Sequence, residues 1–257
     1  MKTLVEKITA YWDAQPCNVK NSLSEPGTEK YWNEISARRY LVESHLLDFA
    51  QFHLYQGTRV LEVGCGIATD GAEFAKHGAE YVGIDLSTES IGLARQRFEV
   101  LGLDGEFHVH NGEHDLSKFG EFDMVYCMGV LHHYPTPEKI IDNIYKILKP
   151  NGEFKFLVYA RNSWKYAMIQ RGLDQYEAQA GCPYAKTYTK EEIYNLLDGK
   201  FQVARIRQDH CFMYNVAKYK QGIYELEPWF EAMPEMMRTA VKEYLGWHLM
   251  CKSIKIS

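Results

Sequence analysis

The chain has 257 residues, 46% hydrophobic and 14% aromatic, with a formal net charge of −5. That is ample apolar material for a sizeable core, and the acidic balance, without a run of Lys and Arg, excludes the basic stripe that a nucleic-acid partner needs. No apolar run is long enough to span a bilayer, and Met1-Lys-Thr-Leu-Val-Glu-Lys lacks a signal-peptide hydrophobic region. The expectation is a cytoplasmic protein with no membrane or nucleic-acid partner, monomer or homodimer. Six scattered cysteines (Cys17, Cys65, Cys127, Cys182, Cys211, Cys251) form no Cys-x-x-Cys pair, so they read as free thiols in a reducing compartment.

Residues 1–55 read as an N-terminal helical cap segment, followed by a second unit over 56–257. Thr28 is placed to cap a helix running to about Phe52, with Trp32, Ile35, Val42, Leu46 and Phe49 on one face. Arg39 falls in the middle of that face with Glu43 beside it. Two readings stay open: a pair one helical turn apart, or a guanidinium that binds a carboxylate of a ligand. From residue 57, strands near 59–63, 80–85, 106–109, 122–127 and 152–159 alternate with helical patterns, the sign of a parallel, doubly wound α/β sheet. Such sheets bind ligands at the carboxyl ends of their strands. Beyond Tyr159 come cap-like inserts at about 160–188 and 210–246. They flank a helix near 190–198 and a strand at 201–207. Pro228 and Pro234 read as breakers in the second insert. A last strand covers 248–256, which brings the sheet to seven strands.

The first strand ends in Gly64 and Gly66, and the second ends in Asp85, roughly 20 residues on, where a carboxylate binds a ribose. Thr69 stands where a dinucleotide fingerprint wants a third glycine, which ranks a dinucleotide oxidoreductase low. Glu62-x-Gly64-x-Gly66-x-Ala68 resembles the first motif of class I S-adenosylmethionine (SAM) methyltransferases. Asp85-Leu-Ser87 resembles the second. His110-Asn-Gly-Glu113 stands where that family surrounds the adenine. Phe122 through His133 resembles the fourth strand and the loop beside the methionine moiety, and Leu148-Lys-Pro-Asn-Gly152 the turn before the fifth. The resemblance runs from about 57 to 160 and is nearest to small-molecule enzymes of the ubiquinone/menaquinone-methylase group. It implies SAM as cofactor, held by Glu62, Gly64, Cys65, Gly66, Asp85, Leu86, Asn111, Gly112, Glu113 and Met128. It also implies a mostly parallel seven-stranded sheet, with the last strand antiparallel between the fifth and sixth, under helical and aromatic caps. It does not name the acceptor.

Methyl transfer from a sulfonium is an in-line displacement that depends on alignment and exclusion of water. No metal is required, and a base assists when the nucleophile carries a proton. His132 and His133, after the fourth strand, are the candidate bases, with Tyr134 to orient the nucleophile. Each also reads as ordinary loop packing. His108, His110 and His114 lack the carboxylates and amide of metal-dependent members, so no metal is expected. Acceptor clues gather at Tyr159, Arg161, Asn162, Trp164, Tyr184, Tyr188, His210, Phe212 and Tyr214. Of these Arg161, Tyr184, Tyr188, His210 and Tyr214, together with Arg39, are the candidate substrate residues for a small acidic or aromatic acceptor. Met233, Met236 and Met237 suit cap packing, a dimer surface or a lid. Cys17, Cys182 and Cys211 form a weaker candidate thiolate site for arsenite. A tRNA or nucleic-acid methyltransferase is the alternative, although residues 127–130 read Cys-Met-Gly-Val where amino-methylating enzymes have Asn/Asp-Pro-Pro-Tyr. A non-catalytic SAM-binding protein is the remaining reading.

Overall fold

The computed structural model describes residues 3–174, 181–211, 213–219, 221, 223 and 225–256. Strands β1 (Arg59–Val63), β2 (Glu80–Asp85), β3 (Glu106–Val109), β4 (Phe122–Met128) and β5 (Leu148–Ala160) are mutually parallel. They are followed by β6 (Thr187–Tyr188), β7 (Phe201–Asp209) and β8 (His248–Lys255). The order is β3-β2-β1-β4-β5-β8-β7, and β8 runs antiparallel to both β5 and β7, as expected. The sheet has eight strands rather than seven. The extra one, β6, pairs Thr187 and Tyr188 with Tyr159 and Ala160 beyond the end of β4, and two residues are too few for a periodic signal.

Alternation along the strands builds a core on each face. Leu61, Val63, Val82, Ile84 and Val125 pack with α6 (Pro137–Ile147) on one face. Val60, Tyr81, Met124 and Tyr126 pack on the other with α4 (Thr69–Lys76) and α5 (Thr88–Leu101). Each such fully buried large side chain stabilises the fold by about 1.5–3 kcal/mol. Ala50, Phe52 and Tyr55 belong to this second cluster, so apolar packing continues across residue 55.

The N-terminal segment differs from its reading in two ways. A helix α1 (Leu4–Ala14) precedes Thr28, started by a capping box in which Thr3 and Glu6 satisfy each other's backbone N–H groups. Then the expected helix to Phe52 breaks at Glu43 into α2 (Glu29–Val42) and α3 (His45–Ala50), with Thr28 as the N-cap of α2. The break has a packing cause. Trp32 and Ile35 bury against Ile67, whereas Leu46 and Phe49 bury against Leu157 and Met250 at the strand ends, and a straight rod cannot face both. Lys155, buried in β5, fixes α3 by donating to the Phe49 and Ala50 carbonyls at 3.1 and 2.9 Å. Burial brings its pKa down to about 8.

The first insert opens with α7 (Trp164–Gln170) and is followed by α8 (Lys190–Leu197). The second holds α9 (Val216–Tyr219), α10 (Pro228–Glu231) and α11 (Glu235–Leu245). Its prolines begin helices rather than break them. Pro228 lies in the first turn of α10 and Pro234 is the N-cap residue of α11, positions where the missing N–H costs nothing. Met233 packs against the Cys211, Met213 and Phe230 cluster, while Met236 and Met237 are exposed. Phe212 lies outside the described residues. Among the described residues, no helix is long and apolar enough to cross a membrane.

Candidate active site

A cavity of about 430 Å³ opens over the carboxyl ends of the strands. This is where the chain leaves β1 in one direction for β2 and β3, and later returns beside it as β4. At one end β1 gives way to a turn with Gly64 at φ +73° and Gly66 at φ +53°. A side chain at Gly64 would collide with Val130, whereas nothing lies within 4 Å of the Cβ position at Gly66, so a ligand can reach that backbone. Asp85 grips the turn from β2. Its Oδ2 accepts the Gly66 N–H at 2.9 Å and its Oδ1 the Ser87 N–H at 2.8 Å. Burial pushes the Asp85 pKa up, against the pull of those two donors. Leu86, Gly112, Cys65 and Met128 line the same cavity.

Asn111 and Glu113 are placed differently. They brace the loop after β3: Asn111 Oδ1 accepts the Glu113 N–H at 2.9 Å, and Glu113 Oε1 accepts the Thr136 hydroxyl at 2.7 Å. Neither lines the cavity, nor does Cys127, which is packed in the core.

Glu62, Asp70 and Arg39 form one wall. Arg39 binds Asp70 through Nε and Nη2, both at 3.0 Å, and Glu43 through Nη1 at 3.3 Å. The hydroxyls of Tyr40 and Tyr126 also donate to Asp70, at 2.9 and 3.2 Å. The Arg39–Glu43 pair therefore forms, inside a larger buried network. Burial works against the Arg39 charge, but Asp70 and Glu43 outweigh it and hold the guanidinium protonated. Glu62 accepts the Tyr81 hydroxyl at 2.5 Å, and burial, with Asp70 nearby, pushes its carboxyl well up.

The far wall contains His133, Tyr134, Tyr159, Lys165, Trp247, His210 and His248. His133 and His132 sit on one 3-10 turn, Leu131–His133, yet have different surroundings. His132 is fully buried behind the wall, stacked on Tyr159 with ring centroids 3.7 Å apart, and burial pushes its pKa well down. His133 faces the cavity. Its Nδ1 lies 2.8 Å from the Tyr184 carbonyl, which can only accept, and 3.5 Å from Cys182 Sγ; a proton on Nδ1 satisfies the carbonyl and leaves Nε2 as the basic nitrogen. Tyr134 is buried in the wall, and burial raises its pKa.

Of the candidate substrate residues, Arg39 and His210 line the cavity; Arg161, Tyr184, Tyr188 and Tyr214 do not. Arg161 turns away at the end of β5 to the Thr187 carbonyl at 2.8 Å and Glu192 at 2.9 Å, drawn by the carboxylate of the capping box that starts α8. Tyr188 is a core residue. Tyr184 acts here through its carbonyl on His133, and the Tyr214 hydroxyl donates to Asp174 at 2.6 Å.

Several lining residues were missed by sequence reasoning. Trp12 reaches the cavity from α1 and meets His133 edge-on at 5.3 Å. Asp13 clips α1 to α5, its Oδ1 accepting from the Ser87 hydroxyl at 2.8 Å and the Glu89 N–H at 3.3 Å. The Thr3-x-x-Glu6 spacing was the available signal. Lys165, Trp247 and His248 had none: the pairing of β8 with β5 and β7 places the last two, and α7 brings Lys165 over Trp247 from elsewhere in the chain.

His248 opens β8 opposite Asp209, which brings it next to His210. His45 joins them from α3. Its Nε2 is 2.9 Å from His248 Nδ1, and the ring centroids of His210 lie 4.4 Å from His248 and 4.9 Å from His45. All three are buried, and Glu43 Oε1 stands 3.8 Å from His248 Nε2 and 4.0 Å from His210 Nε2. Burial pushes His45 down to about 4, and His210 and His248 well below their usual range. Among the described residues this trio is the group whose donor atoms converge; neither His108, His110 and His114 nor Cys17, Cys182 and Cys211 do so.

Residues 61–154 match a family described as "Methyltransferase domain". The chain is 33% identical over 149 residues to a ubiquinone biosynthesis O-methyltransferase of Azoarcus sp. (strain BH72), covering 56% of this chain and 64% of that one. It is 33% identical over 116 residues to the protein of the same name in Erwinia tasmaniensis, covering 44% and 48%. It thus spans less than two thirds of the length of these relatives. Magnesium protoporphyrin IX methyltransferase from Synechocystis PCC 6803, solved with bound SAM, superposes with a TM-score of 0.62 at 15% identity over 100% of this chain and 99% of that one. Geranyl diphosphate C-methyltransferase from Streptomyces coelicolor A3(2) superposes at 0.63 with 12% identity over 99% of each chain. These superpositions show that the fold is the Rossmann-like one of such enzymes.

Proposed function

Since the chain belongs to the class I SAM methyltransferase family, in the ubiquinone-methylase group, we propose that its cavity binds SAM beside a small-molecule acceptor and that the protein transfers the methyl group between them. One observation carries this reading. The open glycine turn with Asp85 and the wall of His133, Tyr159 and Trp247 belong to a single cavity. One end suits a nucleoside cofactor and the other an organic acceptor.

Bound SAM supplies a methyl group made electrophilic by its sulfonium. The chain's own residues do the rest. Asp85 has lone pairs beyond those spent on Gly66 and Ser87, and these accept the two ribose hydroxyls. Leu86 and Gly112 form the apolar wall beside it. Among the candidate bases, His133 is preferred over His132, because its Nε2 is basic and its ring lines the cavity. The acceptor's lone pair forms the new bond to the methyl carbon as the carbon–sulfur bond breaks, its electrons going to sulfur. The acceptor's proton goes to His133 Nε2. Tyr159 and Trp247, stacked 4.2 Å apart, and Lys165, 5.3 Å over Trp247, favour a flat or acidic acceptor. The names of the relatives favour oxygen as the atom methylated.

Calorimetry with SAM, S-adenosylhomocysteine and NAD tests the cofactor. Selective binding of the first two is expected, and binding of NAD alone would sink the proposal. Trp12 on α1 gives a separate expectation. Trp12→Ala removes an aromatic contact worth about 0.5–1.5 kcal/mol, so the acceptor KM should rise roughly three- to tenfold while kcat changes less. An unchanged KM would mean that α1 does not close the acceptor end.

A further inference from the structure

We infer that His45, His210 and His248, together with Glu43, form a binding site for one divalent transition-metal ion of the zinc class at the acceptor end of the cavity. Imidazoles from α3, the end of β7 and the start of β8 converge so that one nitrogen of each lies within 4.8 Å of the others. An ion held at about 2.0–2.1 Å by nitrogen needs donors roughly 3.3 Å apart, which small side-chain rotations supply. The Glu43 oxygen is 3.8 Å from His248 Nε2 and 4.0 Å from His210 Nε2. Those separations are too long for hydrogen bonds and are close to the edges of a coordination polyhedron. Three neutral imidazoles and a carboxylate suit zinc, and also cobalt or iron. His45 meets the other ring nitrogen of His248, Nδ1, at 2.9 Å, so one of these two rings turns for both to face the ion.

The surroundings fit this assignment. Each donor is positioned by an element of the fold: His45 by α3, which Lys155 anchors, His210 and His248 by the Asp209–His248 pairing of β7 and β8, and Glu43 by the break between α2 and α3. Glu43, His210 and His248 line the cavity while His45 stands behind them, so an acceptor atom would join the ion from the cavity side as a fifth ligand. Arg39 and Lys165 nearby oppose a cation. Arg39 is offset by Asp70, and an acceptor bound to the ion as an anion offsets the remainder. On the proposed methyl-transfer reading, on which this step rests, the ion lowers the pKa of an acceptor hydroxyl or thiol and holds the anion for attack. The proton leaves to His133 or to solvent.

The test uses the full chain, stripped with chelator and titrated with Zn²⁺ by calorimetry and with Co²⁺ by visible absorption. One ion per chain is expected, with a Co²⁺ spectrum of low-symmetry histidine ligation. His248→Gln and Glu43→Gln should each weaken binding, the first by at least about 100-fold, since loss of even an outer-shell partner costs 10–100-fold. SAM calorimetry on the same samples reports folding and the cofactor site independently. Wild-type protein that binds SAM but no stoichiometric Zn²⁺ or Co²⁺ would overturn the metal site and leave the methyl-transfer reading standing. Metal binding without SAM binding would do the reverse. Equal metal affinity in wild type and both variants would show that the ion sits elsewhere and would also overturn it.

Discussion

Asp85→Ala is expected to remove SAM binding from the calorimetric range, a loss of at least about 100-fold. A hydrogen bond to a charged group contributes about 1.5–3 kcal/mol, and two ribose hydroxyls on one carboxylate therefore correspond to roughly 3–6 kcal/mol. The same side chain accepts the Gly66 and Ser87 N–H groups, so its loss also loosens the turn that the ligand must approach. Asp85→Asn separates the two effects. It keeps one acceptor oxygen for the turn and should bind SAM weakly rather than not at all. The sign of the pH dependence follows from the environment. Burial raises the Asp85 pKa, and the carboxylate is the form that accepts both hydroxyls. Affinity should be constant at neutral pH and fall as pH drops through a value above the ordinary carboxylate range. Full SAM affinity in Asp85→Ala would remove the ribose role.

The parts of this fold that were legible in the sequence are those that local pattern encodes. β1 through β4 show short apolar runs bounded by Gly or Asp, and their ends fell within a residue of expectation. The glycine turn was legible because only glycine tolerates both the left-handed backbone at Gly64 and the contact with Val130. What was not legible depends on contacts between distant segments. Arg161 and His210 both follow strands and both read as pocket residues. Glu192, a helix away in sequence, takes the first, whereas the β7–β8 register gives the second its neighbour His248. His132 and His133 are adjacent and identical in type. Contacts from distant segments distinguish them: Tyr159 stacks on the first, and Trp12 and the Tyr184 carbonyl meet the second, which faces the cavity. The break at Glu43 was hidden for the same reason: its cause is two separate burial surfaces, not a local helix stop.

Asp70→Ala should be the most destabilising single change in the cavity wall, by about 3–5 kcal/mol, the range for breaking a buried ion pair by deleting one partner. Asp70 is 2% exposed. It takes both prongs of Arg39 and the hydroxyls of Tyr40 and Tyr126, so alanine strands a largely buried charge, the buried Tyr126 donor and the half-buried Tyr40 donor at once. Glu43 retains one side of the guanidinium at 3.3 Å, which keeps the loss from being larger. Asp70→Asn should cost less, because its amide oxygen still accepts from a tyrosine or from Arg39. The double change Arg39→Met with Asp70→Leu should recover much of the stability of the single alanine variant, since it removes the uncompensated charge and replaces it with packing. Urea midpoints at constant m-value measure all three. If Asp70→Ala cost less than about 1 kcal/mol, solvent reaching Arg39 would be carrying its charge, and the network would not be what holds α2 against the sheet. On the expected result, Asp70→Ala leaves Glu43 as the remaining anchor of Arg39 and should also disturb the His210–His248 corner. Its Zn²⁺ affinity would fall together with its stability, whereas a purely local defect at Asp70 would leave metal binding intact.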